Sequence, residues 1–447
     1  MEGPNVVIIV CDTLRKDVLG VYGGPAKTPN LSRLAKDSMV YENCIAPSPW
    51  TFPSHVSIFT GMYPGEHGVH EDRDVKIGGC IKLNEKLATP LLQEQLRSRG
   101  YATVGISNNV MVSRFTHFDR GFDFFANIDV DPWMASKEVA ILRKYGPTIP
   151  IILGRLLKEG KAGDIPHYFR EWMRIRAEAK ARDFPLDKGS GETNRLLFNS
   201  KLQRRLFLFI NLLEPHEPYR NENRKERWDH YAEVRGIGAR SLERLWGSYV
   251  EEAEYLDGRI GELIEMLKGR GLYDDSLIIV TSDHGQAFNE HGFLYHSIYL
   301  YDEVVRVPLI IKYPRGRRFR KRKGYQSLVD LPRLVMDVVG GGDDSAITSE
   351  VAFSESFGDI HTAEFMPENY KSRAGRLARI YEKHRKAVYK GRFKLSVNGT
   401  DGAVEEFLKD GKPSDSSVHM KEFSDLCREL RDFAPDPGFK IPEIDGR

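Results

Sequence analysis

The chain has 447 residues, 40% of them hydrophobic and 29% charged, with a formal net charge of +2. That length predicts a large core, in one big domain followed by a smaller one, and the balanced charge gives no overall field for a nucleic acid. Cys11, Cys44, Cys80 and Cys427 are widely spaced without a CxxC pair, which excludes a zinc ribbon or a disulfide scaffold.

The first element follows almost at once: NVVIIVC (5–11) reads as a buried strand. The run has neither a basic leader nor a small-residue cleavage site, so it is not expected to be a signal peptide. No apolar stretch approaches the roughly 20 residues of a membrane span, and a cytoplasmic protein is expected. Four more Val- and Ile-rich runs follow: YATVGIS (101–107), LFLFINL (206–212), SLIIVT (276–281) and VPLIIK (307–312). Between them lie amphipathic, helical patterns at 28–40, 83–100 and 251–271. Continuous apolar strands alternating with helices predict an α/β fold with a parallel sheet covered on both faces.

Residues 130–200 are rich in Arg and Lys and are expected to form a helical insertion. The catalytic part is expected to run over 1–345. Past that point the pattern changes, and 346–447 reads as a small α+β subdomain. Its strands are VAFSES (351–356), KAVYKGRFKLSV (386–397) and GAVEEFLKDG (402–411), with a terminal helix at 420–433. The basic run KYPRGRRFRKRKG (312–324) could meet a polyanion or an anionic surface; because it is short and broken by glycine, a solvated loop is the favoured reading.

In open parallel sheets the ligand site lies beyond the carboxyl ends of the strands. The residues there are informative: Asp12 after the first strand, Asn108 and Asn109 after the second, His216 after the third, Asp283 and His284 after the fourth. The stretch SPWTFPSHVSIFTGMYPGEHGV (48–69) adds a helix opened by Pro53 and closed by Gly61, which places Thr51 just ahead of a helix N-terminus. Two Asp oxygens, a His nitrogen and a Thr oxygen suit a divalent cation. Such a cation would favour a deprotonated Thr51, and the helix terminus beside it favours an anion. That combination suits attack on a phosphate or sulfate ester.

The segments VVIIVCDTLRKDVLGVYG, TPNLSRLAKDSMVYENCIAPSPWTFPSHVSIFTGMYPGEHGV, LRSRGYATVGISNN, LLEPHEPY, EYLDGRIGELIEMLKGRGLYDDSLIIVTSDHG and YHSIYLYDEVVRVPLIIKYP resemble, in order, the sulfatase branch of the alkaline phosphatase superfamily. The resemblance covers about residues 5–340, and AVYKGRFKLSV resembles the family's C-terminal subdomain. It implies an alkaline-phosphatase-like sandwich: a large, mainly parallel sheet flanked by helices, and a small C-terminal antiparallel sheet. It further implies metal ligation by Asp12, Thr51, Asp283 and His284, with Thr51 as nucleophile. His216 and His296 match positions that contact the ester oxygens or assist the leaving group, and are expected to reach the ester from opposite sides. Asn108 falls where many relatives have a substrate-contacting Lys. His55, His67 and His291 are expected to be structural. Thr13 replaces a second Asp of some relatives, which argues against an all-oxygen, calcium-type shell.

One departure decides the expected chemistry. Sulfatases of this branch carry a convertible Cys or Ser in a C/S-x-P-x-R motif, where this chain reads Thr51-Phe52-Pro53-Ser54-His55. No formylglycine is therefore expected. The TFPSH stretch resembles the TFPNH-like motif of threonine-nucleophile phosphodiesterases and phosphotransferases in the superfamily. Those two-metal phosphodiesterases have Asp where His216 stands, so a single metal is expected, manganese or zinc before calcium or magnesium. The favoured reading is a metal-dependent hydrolase of phosphate mono- or diesters. A sulfuric ester hydrolase and a phosphotransferase to an alcohol are the alternatives, and a polyanion-binding protein, which would need no nucleophile, is disfavoured. The expected partner is a small-molecule phosphate or sulfate ester.

Overall fold

A computed structural model describes residues 3–70, 87–128, 186–220, 238–317, 323–342, 347–358, 383–433 and 438–442, with a few isolated positions between them. Fifteen strands are described. In chain order they are β1 (Asn5–Cys11), β2 (Met39–Ile45), β3 (Ala102–Ser107), β4 (Phe124–Asn127), β5 (Leu206–Leu212), β6 (Ser276–Thr281), β7 (Ala287–Phe288), β8 (Leu294–Tyr295), β9 (Arg306–Lys312), β10 (Gln326–Ser327), β11 (Val351–Ser356), β12 (Arg385–Lys390), β13 (Phe393–Asn398), β14 (Ala403–Lys409) and β15 (Lys412–Pro413).

The main sheet has eight strands in the order β10-β2-β9-β6-β1-β5-β3-β4. The most apolar run, β1, lies inside it, paired in parallel with β5 through Ile8↔Phe209 and with β6 through Ile8↔Ile279. Every residue of β1, β5 and β6 is buried, which is what a strand covered on both faces requires. Alternation divides β1 between two cores. Val6, Ile8 and Val10 pack under the helices Thr51–Thr60, Leu92–Ser98 and Leu331–Val339; Val7, Ile9 and Cys11 pack under Pro29–Lys36, Ser190–Asn199 and Ala239–Gly269.

The sheet is not wholly parallel, as the runs alone suggested. The fifth run, β9, pairs antiparallel with both β6 and β2. Its chain arrives through the short helix Asp302–Val305 rather than through a crossover helix. The amphipathic stretch 28–40 also divides: its helix ends at Lys36, and β2 begins at Met39. The short strands β4 and β10 were not anticipated.

The second sheet is antiparallel, ordered β11 to β15, with the helix Met420–Asp432 packed over it through Leu426, Cys427 and Leu430. It is stitched to the chain on either side of the Thr51–Thr60 helix. Glu355 N donates to Pro47 O at 2.9 Å, and its carboxylate accepts from Gly65 N at 2.9 Å. Most of the insertion expected at 130–200 lies outside the described residues; its end, Ser190–Asn199, is a helix. The basic run begins with an engaged residue, since buried Lys312 donates to the carbonyls of Tyr273 (2.5 Å), Asp274 (2.9 Å) and Ser276 (3.2 Å). Residues 318–322 lie outside the described ones. No helix among the described residues is long and apolar enough to cross a membrane.

Candidate active site

At the carboxyl edge, Asp12 prolongs the β1–β5 ladder through its N–H to Leu212 O at 2.8 Å, so its side chain is set by a central strand. Asp283 and His284 follow β6 by one residue. Thr51 comes from across the sheet, and here the structure corrects the sequence. The helix begins at Thr51 itself, with extended Trp50 as its cap and Pro53 two residues further in. No side-chain cap bond forms at this terminus, so the Thr51 hydroxyl is not a helix cap.

Thr51 Oγ1 lies 3.3 Å from His284 Nε2 and 3.5 Å from Asp12 Oδ2. His284 Nε2 is 3.5 Å from Asp283 Oδ2 and 3.9 Å from Asp12 Oδ1. His284 Nδ1–H donates to Gly285 O at 2.9 Å, which leaves the Nε2 lone pair facing the other three groups. Asp12, Asp283 and His284 are fully buried, and their donor atoms lie within 4.8 Å of one another.

Around this centre several polar groups are tied to one another. Asn109 Nδ2 donates to Asp12 Oδ2 at 2.6 Å. Asp283 Oδ1 accepts from the N–H groups of His284 (2.9 Å) and Thr13 (3.3 Å), the latter held at φ 59°, a left-handed conformation unusual for a β-branched residue. His55 Nδ1–H donates to Thr51 O at 2.9 Å and lies 3.4 Å from Asp283 Oδ2, while its Nε2 accepts from Asn211 Nδ2 at 3.0 Å. Among the carboxylate oxygens of the centre, Asp12 Oδ1 and Asp283 Oδ2 are buried without a hydrogen-bond partner, as are the neighbouring Thr13 Oγ1 and Asn211 Oδ1.

The electrostatics agree with this geometry. Burial, and then the Asp283 charge, push the Asp12 carboxyl up to about 7; burial does the same to Asp283, also to about 7. His284 is held below its ordinary value by burial, and His55 is held at about 3 for the same reason. Two buried carboxylates, each with a bare oxygen aimed at a neutral imidazole lone pair, are unfavourable alone and are matched by a divalent cation. The mixed oxygen and nitrogen donor set fits such an ion, with Thr51 Oγ1 beside it.

The structure brings His216 and His296 together beside this centre. Their ring centroids are 5.1 Å apart, and His296 is 4.5 Å from the His284 ring. They are held differently. His216 Nδ1–H donates to Glu217 O at 2.6 Å and is 3.5 Å from the Glu217 carboxylate, whereas His296 Nδ1 meets the Gln286 amide oxygen at 2.6 Å. Gln286 Nε2 donates to Glu217 Oε2 at 2.8 Å, which fixes that amide's orientation. Burial opposes a charge on His216, but the carboxylates of Glu217 and Asp12 outweigh it and its pKa is raised. Burial, then the neighbouring His284, hold His296 well below its ordinary value. His216, Glu217 and His296 also bring three donor atoms within 4.8 Å, but their donors already meet these partners and supply no orphaned atom like those of Asp12 and Asp283.

Of the remaining candidates, Asn108 accepts from Thr193 Oγ1 at 2.9 Å, on the helix Ser190–Asn199. Its neighbour Asn109 is the one on Asp12. His67 accepts from Val69 N at 3.0 Å and meets Ser57 at 3.1 Å, and His291 lies 3.2 Å from Glu303. Sequence reasoning missed Gln286, Glu217 and Asn211, for which it carried no signal. It paired Asn109 with Asn108 without separating them.

A family model described as Sulfatase matches residues 4–341. Among curated proteins, the chain is 25% identical over 355 residues to the ulvan-active sulfatase of Formosa agariphila, taking in 75% of this chain and 61% of that protein. It is 23% identical over 374 residues to the arylsulfatase of Clostridium perfringens, covering 72% of this chain and 70% of that one. The match to the first relative thus spans less than two thirds of its length. The fold is shared with the phosphonate monoester hydrolase of Agrobacterium radiobacter, at a TM-score of 0.63, 17% identity and 96% coverage of both chains.

Proposed function

Since the chain belongs to the Sulfatase family, we propose that it hydrolyses monoanionic tetrahedral esters through Thr51, with sulfate monoesters the class that its relatives' names support. The observation that carries this reading is the placement of Thr51 Oγ1 against Asp12 and His284, beside two orphaned carboxylate oxygens. A bound divalent cation, manganese or zinc by the donor set, would supply Lewis-acid polarisation and favour the Thr51 alkoxide. Its two charges would balance Asp12 and Asp283, while at the ester-contact positions the His216 charge is balanced by Glu217 beside a neutral His296. A site so balanced suits one negative charge on the ester better than two. Sulfate monoesters, phosphate diesters and phosphonate monoesters carry one; phosphate monoesters carry two.

Thr51 opens the first turn of its helix, whose free N–H groups favour the ester's anionic oxygens. The Thr51 oxygen attacks sulfur or phosphorus, and His216, its charge supported by Glu217, gives a proton to the departing oxygen. Water then attacks sulfur or phosphorus, the bond to Thr51 Oγ1 breaks, and the water proton passes to the now neutral His216, which restores the starting state.

A second reading follows from Thr51 itself. Formylglycine hydrate has a second hydroxyl that expels bound sulfate; threonine has none, so its adduct leaves only by in-line attack, a route that phosphorus takes readily. That favours a phosphate diester or phosphonate monoester, and the named activity of the Agrobacterium radiobacter structure lies in this class.

An ester panel tests both readings: aryl sulfate, aryl phosphate, bis-aryl phosphate and aryl phosphonate, each with manganese, zinc, calcium and magnesium. The monoanionic esters are expected to be turned over faster than aryl phosphate, and Thr51→Ala to be inactive. Preference for the dianion, or an active Thr51→Ala, overturns the proposal. The order of sulfate against the phosphorus monoanions decides between the two readings.

A further inference from the structure

Resting on the assignment of His216 to the leaving oxygen, we propose that Lys188 is a positioning residue for His216. It fixes the turn Glu214–Tyr219 to the long helix Ala239–Gly269. Lys188 Nζ donates to Glu214 O at 2.5 Å and to Glu252 Oε2, on that helix, at 2.6 Å. The attachment is reciprocal, since Glu214 Oε1 accepts from Lys188 N at 3.2 Å and Ser190 N at 3.0 Å. The ammonium also lies 5.9 Å from the Tyr219 ring centroid, and Tyr219 OH closes the turn by donating to Pro215 O at 3.1 Å.

All three ionisable groups are withdrawn from solvent: Lys188 is 4% exposed, Glu214 0% and Glu252 1%. Burying an ammonium is costly, and a contact made only for stability is replaceable by an apolar side chain of like volume. What an apolar side chain cannot replace is the bond to Glu214 O. That carbonyl sets the peptide plane from which Pro215 and then His216 leave β5, and proline's fixed φ narrows the directions the chain can take from it. Lys188 Nζ is bonded to the base of the turn and to the helix behind it, so it places His216, and its charge also opposes a charge on that imidazole. A displacement of about 1 Å in a reacting group costs on the order of 10²-fold in rate.

The test measures kcat and KM over a series of aryl esters of graded phenol acidity, in whichever ester class the panel identifies. Wild type, Lys188→Gln, His216→Ala and the double variant are compared. If Lys188 positions the proton donor, Lys188→Gln lowers kcat by about 10- to 100-fold for the poorest leaving groups. It leaves nitrophenyl esters and KM little changed, and adds nothing on the His216→Ala background. Glu252→Gln, which keeps the side-chain shape and loosens the ammonium from its other side, shows the same pattern more weakly. It serves as the reporter if Lys188→Gln does not fold.

Equal losses across all leaving groups, or losses that add to those of His216→Ala, overturn the proposal while leaving His216 as the proton donor. If His216→Ala itself shows no dependence on leaving group, the assignment of His216 fails first and Lys188 falls with it.

Discussion

Asn109 Nδ2 donates to Asp12 Oδ2 at 2.6 Å, and the other oxygen of that carboxylate, Oδ1, is buried with no hydrogen-bond partner. The amide thus orients the carboxylate, leaving the bare oxygen toward Asp283 and His284. Asn109→Ala is expected to weaken divalent-metal binding by about 10- to 100-fold, the usual effect of losing a group that orients a ligand. Asn109→Asp weakens it further by setting a like charge against Asp12. Competition with a chromophoric chelator measures both, and unchanged affinity would show that Asn109 only packs.

Thr51 makes no capping bond, so its removal costs the fold less than the about 1 kcal/mol of a lost cap. Thr51→Ala is expected to melt within a few degrees of wild type, to turn over no ester and to form no covalent adduct. Thr51→Ser keeps the hydroxyl and retains turnover. Intact-mass spectra after mixing with substrate, together with thermal melts, check all of this.

The raised carboxyls of Asp12 and Asp283 predict opposite pH trends for the metal-free and metal-bound protein. Each titrates near 7 in the folded chain, against 3.8 as an ordinary aspartate. Over that interval the unfolded chain has already lost protons that the folded chain still holds. These two groups therefore favour the fold below about 4 and withdraw that stability as pH rises to about 7. Metal binding needs both deprotonated, so its stabilisation grows over the same range. The rise in melting temperature on adding manganese or zinc to chelator-treated protein should be larger at pH 8 than at pH 5. Equal rises at the two pH values would contradict the assignment.

Gly285 follows His284 where another strand of chain passes close. Its N–H donates to Val304 O at 2.6 Å, and a Cβ at this position would lie 2.1 Å from Glu303 O. Gly285→Ala must therefore push the His284 loop away from the Asp302–Val305 helix. A loss of about 1–3 kcal/mol in stability is expected, with weaker metal binding. Denaturant unfolding and the chelator competition read the two effects separately.

Much of this protein was legible in the chain itself. Five strand runs, the C-terminal hairpin KAVYKGRFKLSV and the terminal helix lie where hydrophobic patterning puts them. Such patterning is local: a strand buried on both faces is apolar nearly throughout, and Asp12, Asn108, His216 and Asp283 stand out because each breaks the pattern soon after such a run. Chain order therefore determined the α/β architecture and the pool of residues from which the site is drawn.

The tertiary structure decided the rest, because it depends on register and direction between distant segments. β9 is as apolar as β6, and only its antiparallel pairing with β6 shows which way it runs. Asn108 and Asn109 are chemically identical neighbours. Successive side chains at a strand end diverge, sending one to Thr193 and the other to Asp12. His216 and His296 are 80 positions apart, and the bonds through Gln286 and Glu217 bring them side by side. Lys188 shows no pattern in sequence at all, because its place depends on a carbonyl and a carboxylate supplied by Glu214 and Glu252. Sequence determines which groups are present and roughly which edge they reach; only packing fixes which atoms face one another, since that follows from side-chain direction across contacts between segments far apart in the chain.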